Sequence, residues 1–330
     1  MASKNIIAIA EDGSYKKLSL QEIRASKLNT WKDWYCSVGQ LNISIDENGD
    51  MIGGDCGVGG YLGNVYNNIQ LSNKWHKCTI DYCSCMFDIP VLKVKEEKYI
   101  NIKKSDLQNI DNKFVYFKGN TDILRFEWFL SSKCNYECSY CPENFHNKLP
   151  HKNSYEKILI GINNLNNLNI KYNISFWGGE PTLFPNYIDI CKIIVEKGNS
   201  VFTVTNGSRS STFFKKLIHY SSLNISLHQE FLNTENMIKN LKTILQEIEN
   251  NNLTNWVMIR CMVKPGSLSY WNNFIKILKN EIPNFENKLK VTLNTLVYKT
   301  ESNLDFTKSI QDYSEKEIQI LTKFGRLTDL

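Results

Sequence analysis

The sequence lacks any long hydrophobic run. No stretch reaches the ~18 apolar residues that a membrane span requires, and the short apolar stretch Ile6 to Ala10 is stopped at once by Glu11 and Asp12. Neither a membrane helix nor the apolar region of an export signal is predicted, which leaves the expectation of a soluble, cytoplasmic chain. A concentrated basic stripe is missing as well. The 39 basic residues face 34 acidic ones for a net charge of +5, and segments such as Lys93 to Lys98 mix both signs, so no nucleic-acid partner is expected. Cysteine, by contrast, is plentiful. Ten cysteines in a chain without an export signal argue for metal ligands rather than disulfides.

The cysteines are unevenly spread. Cys36, Cys56, Cys78, Cys83 and Cys85 come first, Cys134, Cys138 and Cys141 crowd into one short loop, and Cys191 and Cys261 stand alone. Three thiolates so close together can hold three irons of a cubane cluster and leave the fourth iron without a protein ligand. Zinc also accepts soft thiolates, but spacings of three and two residues without a close fourth cysteine suit it poorly.

Cys134, Cys138 and Cys141, with Tyr140 just before the last of them, followed by Trp177-Gly178-Gly179-Glu180-Pro181, resemble the signature of the radical S-adenosylmethionine (radical SAM) enzymes. The resemblance implies a [4Fe-4S] cluster with one open iron that binds the amino and carboxylate groups of SAM. It also implies reductive cleavage of SAM to a 5′-deoxyadenosyl radical that takes a hydrogen atom from a substrate. By the same resemblance, Gly178 and Gly179 let the backbone approach SAM and the Glu180 region binds its amino group. Thr203 or Thr205, with Asn206, meets the ribose, and Ser226 is a further polar contact. Tyr140 shields the cluster or adenine. Arg260 can pair bidentately with the SAM carboxylate, a geometry its planar fork favours, or form a plain salt bridge. His228 is either a substrate-facing acid-base group or a satisfied rim histidine. Cys261, next to Arg260, is a candidate hydrogen-atom donor or an ordinary buried cysteine, and Cys191 reads as buried.

Residues 36 to 85 have their own texture. Leu41 to Ile45 alternates as a strand, Asp46 to Asp50 supplies a turn, and Met51-Ile52 starts a return strand, so a hairpin brings Cys36 and Cys56 near each other. The order of cysteine, hairpin, second cysteine, Leu62-Gly63-Asn64 and closing cysteines resembles the SPASM auxiliary-cluster module, here placed ahead of the barrel. It implies a second, auxiliary [4Fe-4S] cluster held by Cys56, Cys78, Cys83 and Cys85. Cys36 replaces one of these or stands as a separate or substrate-facing thiol, and zinc is the rival occupant. Glycines 53 to 60 are expected to bend around the inorganic group.

A helix from Leu18 to Leu28 and strands at Ile89 to Val94, Tyr99 to Ile102 and Lys113 to Phe117 fill the rest of residues 1–120, the first expected domain. From 121 to 330 six strands alternate with helices, beginning at Ile123, Tyr172, Val201, Leu223, Trp256 and Leu289, which reads as βα units of a parallel sheet. The family sharpens this to α/β with a partial (β/α)6 TIM-like barrel, preceded by the small, mainly β, cysteine-rich module and followed by a helical tail. Its reactive groups should collect at the C-terminal ends of the strands.

The leading expectation for function is oxidation, crosslinking or epimerisation of a peptide residue. A dehydrogenase or epimerase of a small molecule or sugar is the alternative, and a non-catalytic iron–sulfur electron-transfer or binding protein is the contrasting class. A flavodoxin- or ferredoxin-type donor is implied as the electron source.

Overall fold

The computed structural model describes residues 6–10, 14–18, 23, 28–83, 88–100, 114–118, 123–142, 145–284, 289–296 and 313–323. The chain forms two compact units, Met1–Glu127 with Ile160–Tyr172, and Trp128–Leu159 with Asn173–Leu330.

The first unit is mainly β. Its strands are Ile6–Ala10 (β1), Tyr15–Leu18 (β2), Tyr35–Cys36 (β3), Asn42–Ile45 (β4), Asp50–Gly53 (β5), Tyr61–Asn64 (β6), Asn68–Ile69 (β7), His76–Lys77 (β8), Lys93–Val94 (β9) and Phe114–Lys118 (β10). One sheet runs β2-β1-β10-β9-β3-β8, with Ile6, Ala8, Leu18, Trp31 and Phe117 buried in one cluster. The Trp31 and Phe117 rings meet edge to face at 5.2 Å, a favoured aromatic geometry. The expected hairpin forms with Ile45 opposite Met51. Asp46 makes its turn by accepting the amides of Asn48 (2.8 Å) and Asp50 (2.9 Å), a local bond that short acidic side chains are suited to.

Several expectations for this unit change. Leu18 belongs to β2 rather than to a helix, Ile23 is helical, and the residues around Ile23 lie outside those described. The strand expected over Ile89 to Val94 shortens to β9, because the buried Lys93 ammonium donates to the carbonyls of Asp88, Ile89 and Val91 and curls that stretch around itself. Glu97–Tyr99 is a 3-10 turn, while 101 and 102 lie outside the described residues. Two of the glycines, Gly53 and Gly59, pack on each other, since a side chain on either would strike the backbone of the other, and Gly54, Gly57 and Gly60 turn the chain with positive φ.

The second unit alternates strand and helix: Leu124–Ser131 (β11), Tyr155–Asn166 (α1), Tyr172–Gly178 (β12), Tyr187–Glu196 (α2), Ser200–Thr205 (β13), Ser211–Leu217 (α3), Ser222–His228 (β14), Thr234–Asn250 (α4), Val257–Val263 (β15), Leu268–Glu281 (α5), Leu289–Thr295 (β16) and Glu315–Lys323 (α6). β11 and α1 each begin in one unit and end in the other. Strands β11 to β16 lie side by side in chain order, and the pairs from β12 to β16 are parallel. This is a mixed α/β sheet with helices consistent with a partial (β/α) barrel.

Alternation along the strands separates two faces. Leu223, Ile225 and Leu227 on β14 and Ile259, Cys261 and Val263 on β15 are buried to 1% or less. They meet the apolar stripes of the helices, for instance Met237, Ile238, Leu241, Ile244 and Leu245 on α4, at the spacing an amphipathic helix predicts. The intervening residues, Ser226 and His228, Arg260 and Met262, are only partly buried and lie level across the pair, Ser226 beside Arg260 and His228 beside Met262. One face is an apolar core; the other, where Asn224 and Met258 are still buried, becomes polar and more exposed toward the strand ends.

Candidate functional site

The loops after β11, β12 and β13 are bound to one another by backbone. Gly179 N donates to Ser131 O and Glu180 N to Lys133 O, both at 2.8 Å. Gly178 has φ +136°, and a side chain on Gly178 would collide with Ser131 O, one on Gly179 with the carbonyls of Ser132 and Lys133. The two glycines are therefore required by the cysteine loop that presses on them.

Glu180 follows and is fully buried. Its Oε1 accepts from the Thr182 amide (3.1 Å), the Thr182 hydroxyl and the Thr205 hydroxyl (2.7 Å), and its Oε2 from the Asn206 amide (2.6 Å). Burial pushes the carboxyl pKa up, and those same donors pull it down. These bonds tie the loop after β12 to the loop after β13. Thr203 needs a correction. It stands on the face shared with Leu223 and bonds the hydroxyls of Tyr187 (2.8 Å) and Ser221 (2.7 Å), which turns it toward the helix layer. Thr205 is spent on Glu180 and on the Gly207 amide (3.1 Å).

Asn206 reaches the cysteine loop. Its Nδ2 donates to Asn135 Oδ1 at 2.9 Å and lies 3.9 Å from Cys134 Sγ, while the Tyr136 amide donates to the same sulfur at 3.4 Å. Cys134 and Cys138 are buried and Cys141 is half-buried. Burial raises the Cys138 thiol most, and Cys141, Cys134 and Glu230 add to it, up to about 12. Among the described residues no three His, Cys, Asp or Glu side chains are drawn in tightly enough to hold a metal ion as they stand. Three soft donors in one loop, with amide donors aimed at a sulfur, are nonetheless a donor set whose thiolates fit an iron–sulfur cluster.

Beyond the trio the loop is clamped to the ends of β14 and β15. Ser139 donates from its amide to Glu230 Oε2 (2.8 Å) and from its hydroxyl to Oε1, and Lys264 donates to the same Oε1 at 2.6 Å. Burial opposes the Glu230 charge, but the Lys264 ammonium and the Ser139 donors prevail and hold the carboxyl at about 2. Tyr140 hydrogen-bonds His228 Nδ1 through its hydroxyl at 2.6 Å, with the two rings stacked. Desolvation lowers His228 to about 4, so the imidazole is neutral near pH 7. Tyr136 lies edge-on to His228 and stacks on Phe231. Ser226, Arg260 and Thr292 share one level of the open face. Cys261 is fully buried on the opposite face with Ile259 and Val263, which places its thiol against the helix layer rather than the rim and corrects the expectation of a hydrogen-atom donor there. Cys191 is buried as expected.

Glu230, Lys264 and Ser139 escaped the sequence reading because a carboxylate or ammonium beyond a strand end carries no local signal of its partner. The serine between two cysteines was the nearest hint.

In the first unit four cysteines come within electrostatic reach of one another. Cys36 feels Cys78, Cys56 feels Cys83 and Cys36, and Cys83 feels Cys36 and Cys78. Strand pairing sets Cys36 opposite both His76 and Lys93, and Cys78 is pinned by donating its amide to Trp34 O at 2.7 Å. Desolvation raises Cys83 to about 12, with Lys93 working against it. Cys36 is buried; Cys85 lies outside the described residues. No described cysteine forms a disulfide.

Among solved structures, SuiB of Streptococcus suis bound to S-adenosylmethionine is 14% identical with a TM-score of 0.44, covering 62% of this chain and 49% of its own. SuiB bound to the precursor peptide SuiA is 13% identical with a TM-score of 0.41, covering 88% of this chain and 71% of its own. Archaeal TYW1 is 19% identical with a TM-score of 0.27, covering 42% of this chain and 49% of its own. The chain thus spans about half the length of SuiB as solved with SAM. No curated protein matches it significantly. The family model described as the radical SAM superfamily matches residues 128–312. That match takes in the cysteine loop and every parallel strand after it, more than half of the chain, and places the protein in the radical SAM superfamily.

Proposed function

We propose that this radical SAM protein oxidises, crosslinks or epimerises a residue of a peptide, with a second metal centre in its first unit. The convergence of Cys36, Cys56, Cys78 and Cys83, with the Lys93 cation among them, carries this reading. Three buried thiols and the half-buried Cys56, none of them in a disulfide, would be the ligand set of a closed site. A closed auxiliary cluster can accept the electron left when a substrate radical is oxidised or coupled. Cys36 thereby takes the place first given to Cys85.

Cys134, Cys138 and Cys141 would hold the catalytic cluster, whose open iron, when SAM is bound, supplies one electron to the sulfonium and so releases the hydrogen-abstracting 5′-deoxyadenosyl radical. The remaining work is that of the chain's own residues. Glu180 and the glycines fix the three loops, Arg260 and Ser226 would meet the SAM carboxylate and ribose, and Tyr140 over His228 would wall off water. Neutral His228, with Nδ1 taken by Tyr140, acts as a hydrogen-bonding group toward substrate rather than as a carrier of protons. An acidic flavodoxin- or ferredoxin-type donor and a cytoplasmic location belong to the same proposal. No helix among the described residues is long and apolar enough to cross a membrane.

The test is anaerobic reconstitution with iron, sulfide and zinc analysis, and EPR before and after SAM, on the wild type and on a Cys134→Ala, Cys138→Ala, Cys141→Ala variant. About eight irons falling to about four supports two clusters and an oxidative or crosslinking reaction. About four falling to none, with zinc retained, removes the electron acceptor and favours the redox-neutral alternative, epimerisation or rearrangement. Failure to cleave SAM revives the electron-transfer reading.

A further inference from the structure

We infer that Asn206, placed by resemblance at the SAM ribose, instead serves as a positioning residue for the catalytic cluster, its carboxamide donating to the Cys134 sulfur and setting the reduction potential of the iron bound there. This rests on the radical SAM reading of the Cys134 loop.

The residue is only 7% exposed, and every polar atom of it that the argument needs has a partner. The backbone N–H is held by Glu180 Oε2 at 2.6 Å, itself immobilised by Thr182 and Thr205. The side-chain Oδ1 accepts the Ser208 amide at 3.0 Å. That bond decides which way the carboxamide faces. A backbone N–H can only donate, so the oxygen must lie on the Ser208 side, and the NH2 group must face Asn135 and Cys134. Nδ2 then gives one hydrogen to Asn135 Oδ1 at 2.9 Å and lies 3.9 Å from Cys134 Sγ, within reach of a sulfur acceptor.

The sulfur therefore has two N–H neighbours from different directions, the Asn206 amide and the Tyr136 backbone. Adding an electron to a cluster increases the negative charge on its ligating sulfurs, and N–H donors aimed at a sulfur stabilise the reduced state. A cluster that must be reduced before it can act gains from such a donor.

The experiment is an EPR-monitored redox titration of the reconstituted chain, following the signal that SAM perturbs, on wild type, Asn206→Leu, Asn206→Asp and Asn135→Ala, with iron counted in each. Loss of the donor should move the midpoint to more negative potential in Asn206→Leu and further in Asn206→Asp, which sets an oxygen against the sulfur, with iron affinity weakened by on the order of tenfold. Asn135→Ala should leave the midpoint close to wild type, because the two Nδ2 hydrogens diverge and the one that Asn135 receives is not the one aimed at Cys134. That contrast separates donation to sulfur from simple damage to the loop, even if Asn206→Asp binds too little iron to titrate. Unchanged midpoints in both Asn206 variants, with the SAM concentration for half-perturbation of the signal raised on the order of tenfold, would return Asn206 to the ribose and overturn the inference. Unchanged midpoints and unchanged SAM response would reduce it to a packing residue. A wild type with iron on this loop but no SAM-sensitive signal would overturn the radical SAM reading itself.

Discussion

The residues nearest the proposed chemistry are constrained first by one another. Gly178 and Gly179 read as cofactor-approach glycines, yet the space a side chain would need is filled by the carbonyls of Ser131, Ser132 and Lys133. Gly179→Ala should therefore cost ~1–3 kcal/mol by overpacking, and in urea unfolding the loss should appear in the iron-free chain as well. Glu180 behaves similarly. Glu180→Gln puts an NH2 where four donors now converge on two oxygens, and a loss of ~1–3 kcal/mol is expected, with iron uptake impaired as the three loops loosen. If iron uptake fell while the unfolding midpoint stayed put, the carboxylate would be touching the cofactor after all. The nature of these residues was readable from the motif, but their partners were not, because contacts between loops far apart in the chain leave no trace in local spacing.

At the scale of elements, βα alternation was legible because the apolar period switches cleanly between strand and helix. The helix Tyr187–Glu196 begins and ends where expected, and strands β12 to β16 lie within a few residues of their predicted places. The tail helix α6 was also expected. It is started by Ser314 and Glu317: the Glu317 amide donates to the serine hydroxyl, while the carboxylate accepts the Ser314 and Gly266 amides. Ser314→Ala removes one arm of this capping box and should cost ~1 kcal/mol, read from thermal unfolding. The clamp of Glu230 on Ser139 and Lys264 joins the cysteine loop to β14 and β15, and it has a pH signature. Its carboxyl falls from an ordinary 4.5 to about 2 in the fold. The unfolded chain then binds the extra proton between those values, so the clamp's contribution is complete above about pH 4.5 and is lost as pH falls toward 2. Wild type minus Glu230→Gln should therefore show a stability difference that is flat near neutrality and shrinks on acidification. A difference independent of pH would mean that the carboxylate is not held as an anion.

For the whole molecule, metal binding and folding are coupled, because deprotonated ligands gathered in a fold stabilise it when they bind an ion. Reconstitution should raise the unfolding temperature in two separable parts. One should be abolished by removing Cys134, Cys138 and Cys141, and the other by Cys36→Ala with Cys83→Ala; a single part lost in both variants would argue against independent centres. The sequence by itself determined the family, through three cysteines at fixed spacing and a Gly-Gly-Glu run, and it determined the alternating architecture through hydrophobic period. These are properties of neighbours along the chain, where spacing converts directly into which face a side chain occupies. Tertiary structure alone decided that Cys36 pairs across strands with His76 and Lys93, that Cys261 and Thr203 turn toward the helices, and that Asn206 turns toward Cys134. Each of these depends on strand register or on a hydrogen bond between distant segments. A shift of one residue in register reverses the face of every side chain, and only the folded chain sets it.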